Sequence, residues 1–192
     1  MAEVLLFHHA LGLTPGCLAF ADDLRAAGHV VHAPDLYDGK TFTEIPDGVA
    51  YAEEIGFDTV IARGEQAADV LPTGIVYAGF SLGVLPAQKL AQTRAGARGA
   101  LLFHSAIPLS EFGGTWPRGV PLQIHMMEAD PFAVEGGDLE AARELVSTVD
   151  GAQLFLYPGD GHLFADPGVP GYDADAAALL EQRVVGFLGK LG

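Results

Sequence analysis

One serine stands between two glycines at the end of an apolar run, Gly79-Phe80-Ser81-Leu82-Gly83, and this is the pattern G-x-S-x-G. In a chain with 25 glycines the pattern alone arises by chance, so its context decides. Here it follows a strand-like segment and precedes a helical one, the setting in which flanking glycines let a serine take a strained turn and project its oxygen. A serine hydroxyl is a weak nucleophile at neutral pH and needs a base within hydrogen-bond reach and a carboxylate to orient that base. Two later strand ends offer both. "QIHMMEAD" supplies Asp130, with Glu128 as a competitor, and "LYPGDGH" supplies His162, with Asp160 as a further carboxylate. The chain order Ser81, Asp130, His162 suits an α/β-hydrolase arrangement.

An oxyanion formed at Ser81 also needs donors. The N–H of Leu82, at a helix N-terminus, is one. The loop "HHALG", His8 to Gly12, leaves the first strand beside Ser81 and can give a second, the N–H of Ala10. His8 and His9 are adjacent, so at most one faces the site; His9 is expected to do so and His8 to pack. His104 ends the fourth strand and is a candidate pocket residue, whereas His125, His29 and His32 read as structural. No H-x-x-x-H or H-E-x-x-H spacing occurs, so no metal site is expected.

Short apolar runs alternating with segments of helical period position these groups. Strands are predicted at Val4–Phe7, Val30–Ala33, Ile75–Ala78, Ala100–Phe103, Leu122–Met126 and Gln153–Tyr157. Helices are predicted at Cys17–Ala27, Phe57–Leu71, Leu82–Thr93, Leu139–Val149 and Ala174–Leu188, with Pro86 tolerable only in a first turn. Residues 38–56 read as a loop with one short helix. Runs apolar throughout, such as "GALLF", suit strands buried on both faces, hence a parallel α/β sheet with helices on each side. Ligand sites of such sheets gather at the carboxyl ends of the strands, where the candidate residues fall.

The 192 residues fit one domain over 1–192. A net charge of −15, from 25 acidic and 10 basic side chains, argues against nucleic acid and anionic membranes as partners. The apolar runs are too short to span a bilayer, and nothing resembling a secretory leader precedes Glu3, so a cytoplasmic location is expected. Cys17 is the one cysteine, which excludes an internal disulfide.

The chain resembles the dienelactone hydrolase family of the α/β-hydrolase fold in five segments taken in order: "LLFHHALGL", "APDLYDG", "AGFSLG", "IHMMEADPF" and "YPGDGHLFA". The resemblance implies a minimal, doubly wound, mostly parallel sheet of about six strands in the order 2-1-3-4-5-6. It implies a hydrolase without cofactor, with Ser81, Asp130 and His162 as triad and Ala10 and Leu82 as oxyanion donors. His9, Phe80, His104 and Phe164 are expected on the pocket wall, around a small-molecule ester or lactone. The family's best-known members carry a cysteine at the elbow and a glutamate in the first loop, where this chain has Ser81 and His9. They also bind a substrate carboxylate with arginines, one of them a few residues past the histidine, where Asp166 stands. Serine-esterase chemistry on a neutral substrate is therefore the expectation. The alternatives are a thioesterase or acyltransferase with the same triad, or a catalytically silent binding protein of the same fold.

Overall fold

The computed structural model describes residues 1–192. Six parallel strands form one sheet: β1 (Glu3–Phe7), β2 (Val30–His32), β3 (Val76–Phe80), β4 (Gly99–Phe103), β5 (Leu122–Met127) and β6 (Gln153–Tyr157). Their order is β2-β1-β3-β4-β5-β6, as the resemblance implied. Strands β3, β4 and β5 are buried along their whole length, which is why β3 and β4 are apolar at every position rather than at alternate ones, while β5 also buries Gln123 and His125. Each strand still divides its side chains between two cores. Leu5 and Phe7 join Tyr77, Leu102 and Ile124 on one face, while Val4 and Leu6 join Val76, Leu101 and Phe103 on the other.

The second of these faces is covered by α1 (Pro15–Ala26) and α7 (Ala174–Gly189), and the first by α3 (Phe57–Asp69), α4 (Val84–Thr93) and α6 (Asp138–Thr148). Thr14 starts α1 by accepting the Cys17 N–H, with Pro15 in the first turn, where its missing donor is harmless. Asp173 caps α7 in the same way through the Ala176 N–H. Two further helices border the carboxyl edge of the sheet, α2 (Ile45–Ile55) and the short α5 (Pro131–Glu135). None of the helices is long and apolar enough to cross a membrane.

Two expectations are refined. The one short helix expected within residues 38–56 lies at residues 45–55 and runs to 11 residues. Pro46 and Gly48 blur its limits in the sequence, but Pro46 lies in the first turn and Gly48 has a packing reason. A Cβ on Gly48 would come within 2.1 Å of the Ala10 carbonyl oxygen, so this helix lies backbone to backbone on the first loop. Second, the helix predicted from Leu82 begins as a 3-10 turn at Ser81–Gly83, and α4 proper starts at Val84. Pro86 then lies in the first turn of α4, where its missing N–H is tolerated.

Three histidines away from the site are satisfied by their neighbours. His125 of β5 shares a 2.9 Å hydrogen bond with the Tyr157 hydroxyl, His29 accepts the Ala2 N–H, and His32 bonds Glu3. Burial, with a contribution from Arg183, pushes the His125 pKa down to about 3.

Candidate active site

Ser81 follows β3 directly and has φ 48, the left-handed region that a non-glycine residue enters only at a cost. The glycines beside it make that turn possible by contact rather than by flexibility. A Cβ on Gly79 would lie 2.1 Å from the Gly83 carbonyl oxygen, and one on Gly83 would lie 2.5 Å from the Phe7 oxygen and 2.7 Å from the His8 oxygen. The turn is thus folded onto itself and pressed against the end of β1. That contact sets Leu82, which opens the 3-10 turn, against the loop carrying Ala10.

The Ser81 hydroxyl donates to His162 Nε2 at 2.8 Å, and His162 Nδ1 donates to Asp130 Oδ2 at 2.6 Å. Asp130 lies beyond β5 and has no exposure to solvent; its second oxygen, Oδ1, accepts the Phe132 N–H at 2.9 Å and so caps α5. One carboxylate therefore starts a helix and orients an imidazole at once. Of its competitors, Glu128 and Asp160 are both exposed. The His162 ring is 8% exposed, with Phe132 across it at a centroid distance of 4.7 Å. Sequence reasoning missed Phe132, although it stands two residues past Asp130. It also missed Asp138, whose carboxyl pKa is raised by burial against the pull of Ser105 and His162.

In the loop from His8 to Gly12, the Gly12 N–H donates to His9 O at 3.0 Å and the Leu11 N–H points to His9 Nδ1 at 3.3 Å. The Ala10 N–H between them is left without a partner in the loop. His8 is packed as expected: it donates from Nδ1 to His9 O and accepts the Leu36 N–H at Nε2, and burial lowers its pKa to about 4. His9 is buried too, with its Nε2 bonded to Asp166 Oδ2 at 2.8 Å. Burial disfavours its charge, but the hydrogen bonds with Asp166 and Cys17 win and raise its pKa to about 9.

The four residues expected on the pocket wall lie beneath it instead. His9, Phe80, His104 and Phe164 are each 4% exposed or less. Phe80 is the last residue of β3 and alternation sends its ring into the core against Phe20 and Phe103. His104 has φ 68, which folds its ring between Phe80 and Phe164. Burial holds the His104 pKa well below its ordinary value, and its Nδ1 is without a partner. The open cavity beside His162, about 360 Å³, is lined by residues from other segments, among them Leu11, Ile45, Pro46, Phe132 and Val169. Leu11, Thr43 and Val169 are shared with a second cavity of about 590 Å³ that runs on toward Thr14 and Asp166. No lysine or arginine lines either one. As for metal ligands, His9, Cys17 and Asp166 place donor atoms within 4.8 Å of one another, but those of His9 and Asp166 already bond each other.

Three comparisons place this geometry among known proteins. The sequence profile of the Dienelactone hydrolase family matches residues 1–192. Curated protein sequences give no match. Among solved structures, a dienelactone hydrolase-like promiscuous phosphotriesterase from metagenomic libraries is similar at TM-score 0.78 and 20% identity, over 100% of this chain and 87% of that one. A dienelactone hydrolase from Anabaena variabilis is similar at TM-score 0.70 and 16% identity, over 100% and 87%. A cold-adapted esterase from an Arctic intertidal metagenomic library gives TM-score 0.64 and 20% identity, over 95% and 82%. At these identities the solved structures share the fold.

Two stability predictions follow from the geometry. Gly83→Ala forces a Cβ into two backbone oxygens and is expected to cost about 3 kcal/mol or more, read from the urea midpoint; a wild-type midpoint would contradict it. The histidines predict a stability maximum near pH 6.5. Because the His8, His104 and His125 pKa values are lowered in the fold, the unfolded chain takes up protons first as pH drops. Stability therefore falls below pH 6.5 by up to ~1.4 kcal/mol per pH unit for each of them. His9 is raised, so its contribution is whole below pH 6.5 and is lost as pH climbs toward about 9. Thermal midpoints measured across pH 4.5 to 9.5 test this, and a flat profile would refute it.

Proposed function

The chain belongs to the dienelactone hydrolase family, and from that premise we propose that it is a serine hydrolase cleaving a small neutral ester or lactone through an acyl-enzyme. The observation that carries this reading is the unbroken line of hydrogen bonds from Ser81 through His162 to Asp130, at 2.8 and 2.6 Å.

His162 Nε2 takes the Ser81 proton as the oxygen attacks the substrate carbonyl, and Asp130 stabilises the imidazolium that forms. Charge develops on the carbonyl oxygen, which the N–H groups of Leu82 and Ala10 receive. The imidazolium then protonates the leaving alkoxide. Water, deprotonated by the same ring, attacks the acyl group and frees Ser81. Phe132 over His162 keeps the relay from bulk water on one side, which strengthens its electrostatics.

The cavities favour a neutral substrate. The ionisable groups lining them besides His162 are Glu44, Asp160 and Asp166, all acidic, in a chain of net charge −15. A substrate carboxylate would meet like charge and no cation. The two neighbouring cavities, which share Leu11, Thr43 and Val169, suit an elongated molecule, with the scissile carbonyl near His162 and a substituent extending past Leu11 and Val169. We place the enzyme in the cytoplasm and treat residues 1–192 as a single catalytic domain without cofactor.

Turnover of a panel of aryl esters, lactones and thioesters tests the reading. Ser81→Ala is expected to lower kcat by about 10⁴-fold or more, and Asp130→Asn by about 10⁴-fold, because the imidazole loses its orienting partner. Uncharged aryl esters should be preferred to their carboxylate-bearing analogues. Wild-type turnover by Ser81→Ala would end the proposal.

A further inference from the structure

One layer beneath the oxyanion loop lies a buried polar cluster that the proton relay does not use. Asp166 Oδ2 accepts from His9 Nε2 and from the Thr14 hydroxyl, each at 2.8 Å, and its Oδ1 accepts the Gly168 N–H at 2.7 Å. Asp166 is 5% exposed and His9 is 1% exposed. Gly16 backs so closely onto the carboxylate that a Cβ there would lie 1.8 Å from Oδ1. The cluster therefore joins two loops: the one between β1 and α1, which carries Ala10, and the one after β6, which carries His162.

We propose that Asp166 and His9 are a positioning pair that holds the Ala10 N–H in register with the oxyanion and docks the His162 loop beside it; the proposal rests on the serine-hydrolase reading. His9 precedes Ala10 in the chain, and its ring faces the Leu11 N–H on the other side of Ala10. Fixing that ring fixes the peptide units on both sides of the donor. Its only charged anchor is Asp166, which stands four residues past His162 in a turn closed by the bond from its own N–H to Leu163 O at 2.9 Å. Thr14, the third member, caps α1 and so ties the end of the loop to a helix. Positions 9 and 166 are two of the three, with Ser81, at which the chain departs from the family pattern noted in its sequence. In the fold the departures at 9 and 166 touch, so each of these residues is intelligible as the partner of the other.

The role makes a specific kinetic demand. Ala10 meets the oxygen only once negative charge has developed on it, so a displaced Ala10 N–H weakens transition-state binding and leaves substrate binding nearly as it was. Without the Asp166 charge, the buried His9 loses its counter-ion and the loop relaxes toward water.

The test uses Asp166→Asn, which preserves side-chain size, with His9→Gln as a second variant in case the first folds poorly. Folded fraction is read by near-UV circular dichroism, kcat and KM on an uncharged aryl ester, and Ki for an aryl trifluoromethyl ketone, which adds to the serine and forms the oxyanion. Expected are a kcat per folded molecule lowered at least ~10-fold, a Ki raised by a similar factor and a KM within about 2-fold of wild type. A pair that served stability alone would lower the folded fraction and leave kcat per folded molecule and Ki unchanged, and that result overturns the proposal. If wild-type turnover proves independent of Ser81, the serine reading itself fails and the pair's role with it. Ser81-dependent turnover that Asp166→Asn leaves intact overturns the pair alone.

Discussion

The closeness of the Gly83 backbone to the carbonyls of Phe7 and His8 is the contact on which the rest of the site depends. A side chain at position 83 would hold β3's turn away from the end of β1. Ser81 would then lose both its strained, outward geometry and the neighbourhood of the Ala10 loop. Parallel pairing supplies the other half of the constraint. With Phe7 opposite Gly79 and Phe80 opposite Phe103, the strands finish together, and the loops after β1, β3, β5 and β6 gather at one edge.

Within that edge, the partner that each buried titratable group meets decides what the group does. Asp130 is fully buried and has partners at both oxygens, the His162 ring and the Phe132 N–H. His8, His104 and His125 are buried without a strong counter-charge and stay neutral, while His9 is buried against Asp166 and carries its charge. Four histidines of one small core thus divide by partner rather than by depth.

Much of this was legible in the sequence because apolar runs and glycines report backbone requirements directly. "VYAGFSLG" announced a buried strand, a strained turn and a helix start, and the six strands fell within one or two residues of their predicted limits. For the helix at residues 45–55 its presence was legible but not its limits or length, since Pro46 and Gly48 read as loop residues; Gly48 is there because Ala10 leaves no room for a Cβ. The pocket wall was misread for a related reason. Sequence position places Phe80 and His104 at strand ends; alternation along β3 accounts for the inward Phe80 ring, but it does not carry past the end of β4 to His104. For His104 that direction is set by a positive φ that no local pattern signals. Nor could spacing alone show that residues 9 and 166, so distant in the chain, meet in the fold.

The central claim is that three strand ends assemble an activated hydroxyl over two main-chain donors. A crystal structure of the protein after reaction with a fluorophosphonate tests it most directly. The account predicts a phosphorus bonded to Ser81 Oγ, with its phosphoryl oxygen about 2.9 Å from the amide nitrogens of Ala10 and Leu82. An unmodified Ser81, or an adduct whose oxygen points away from both amides, would contradict it.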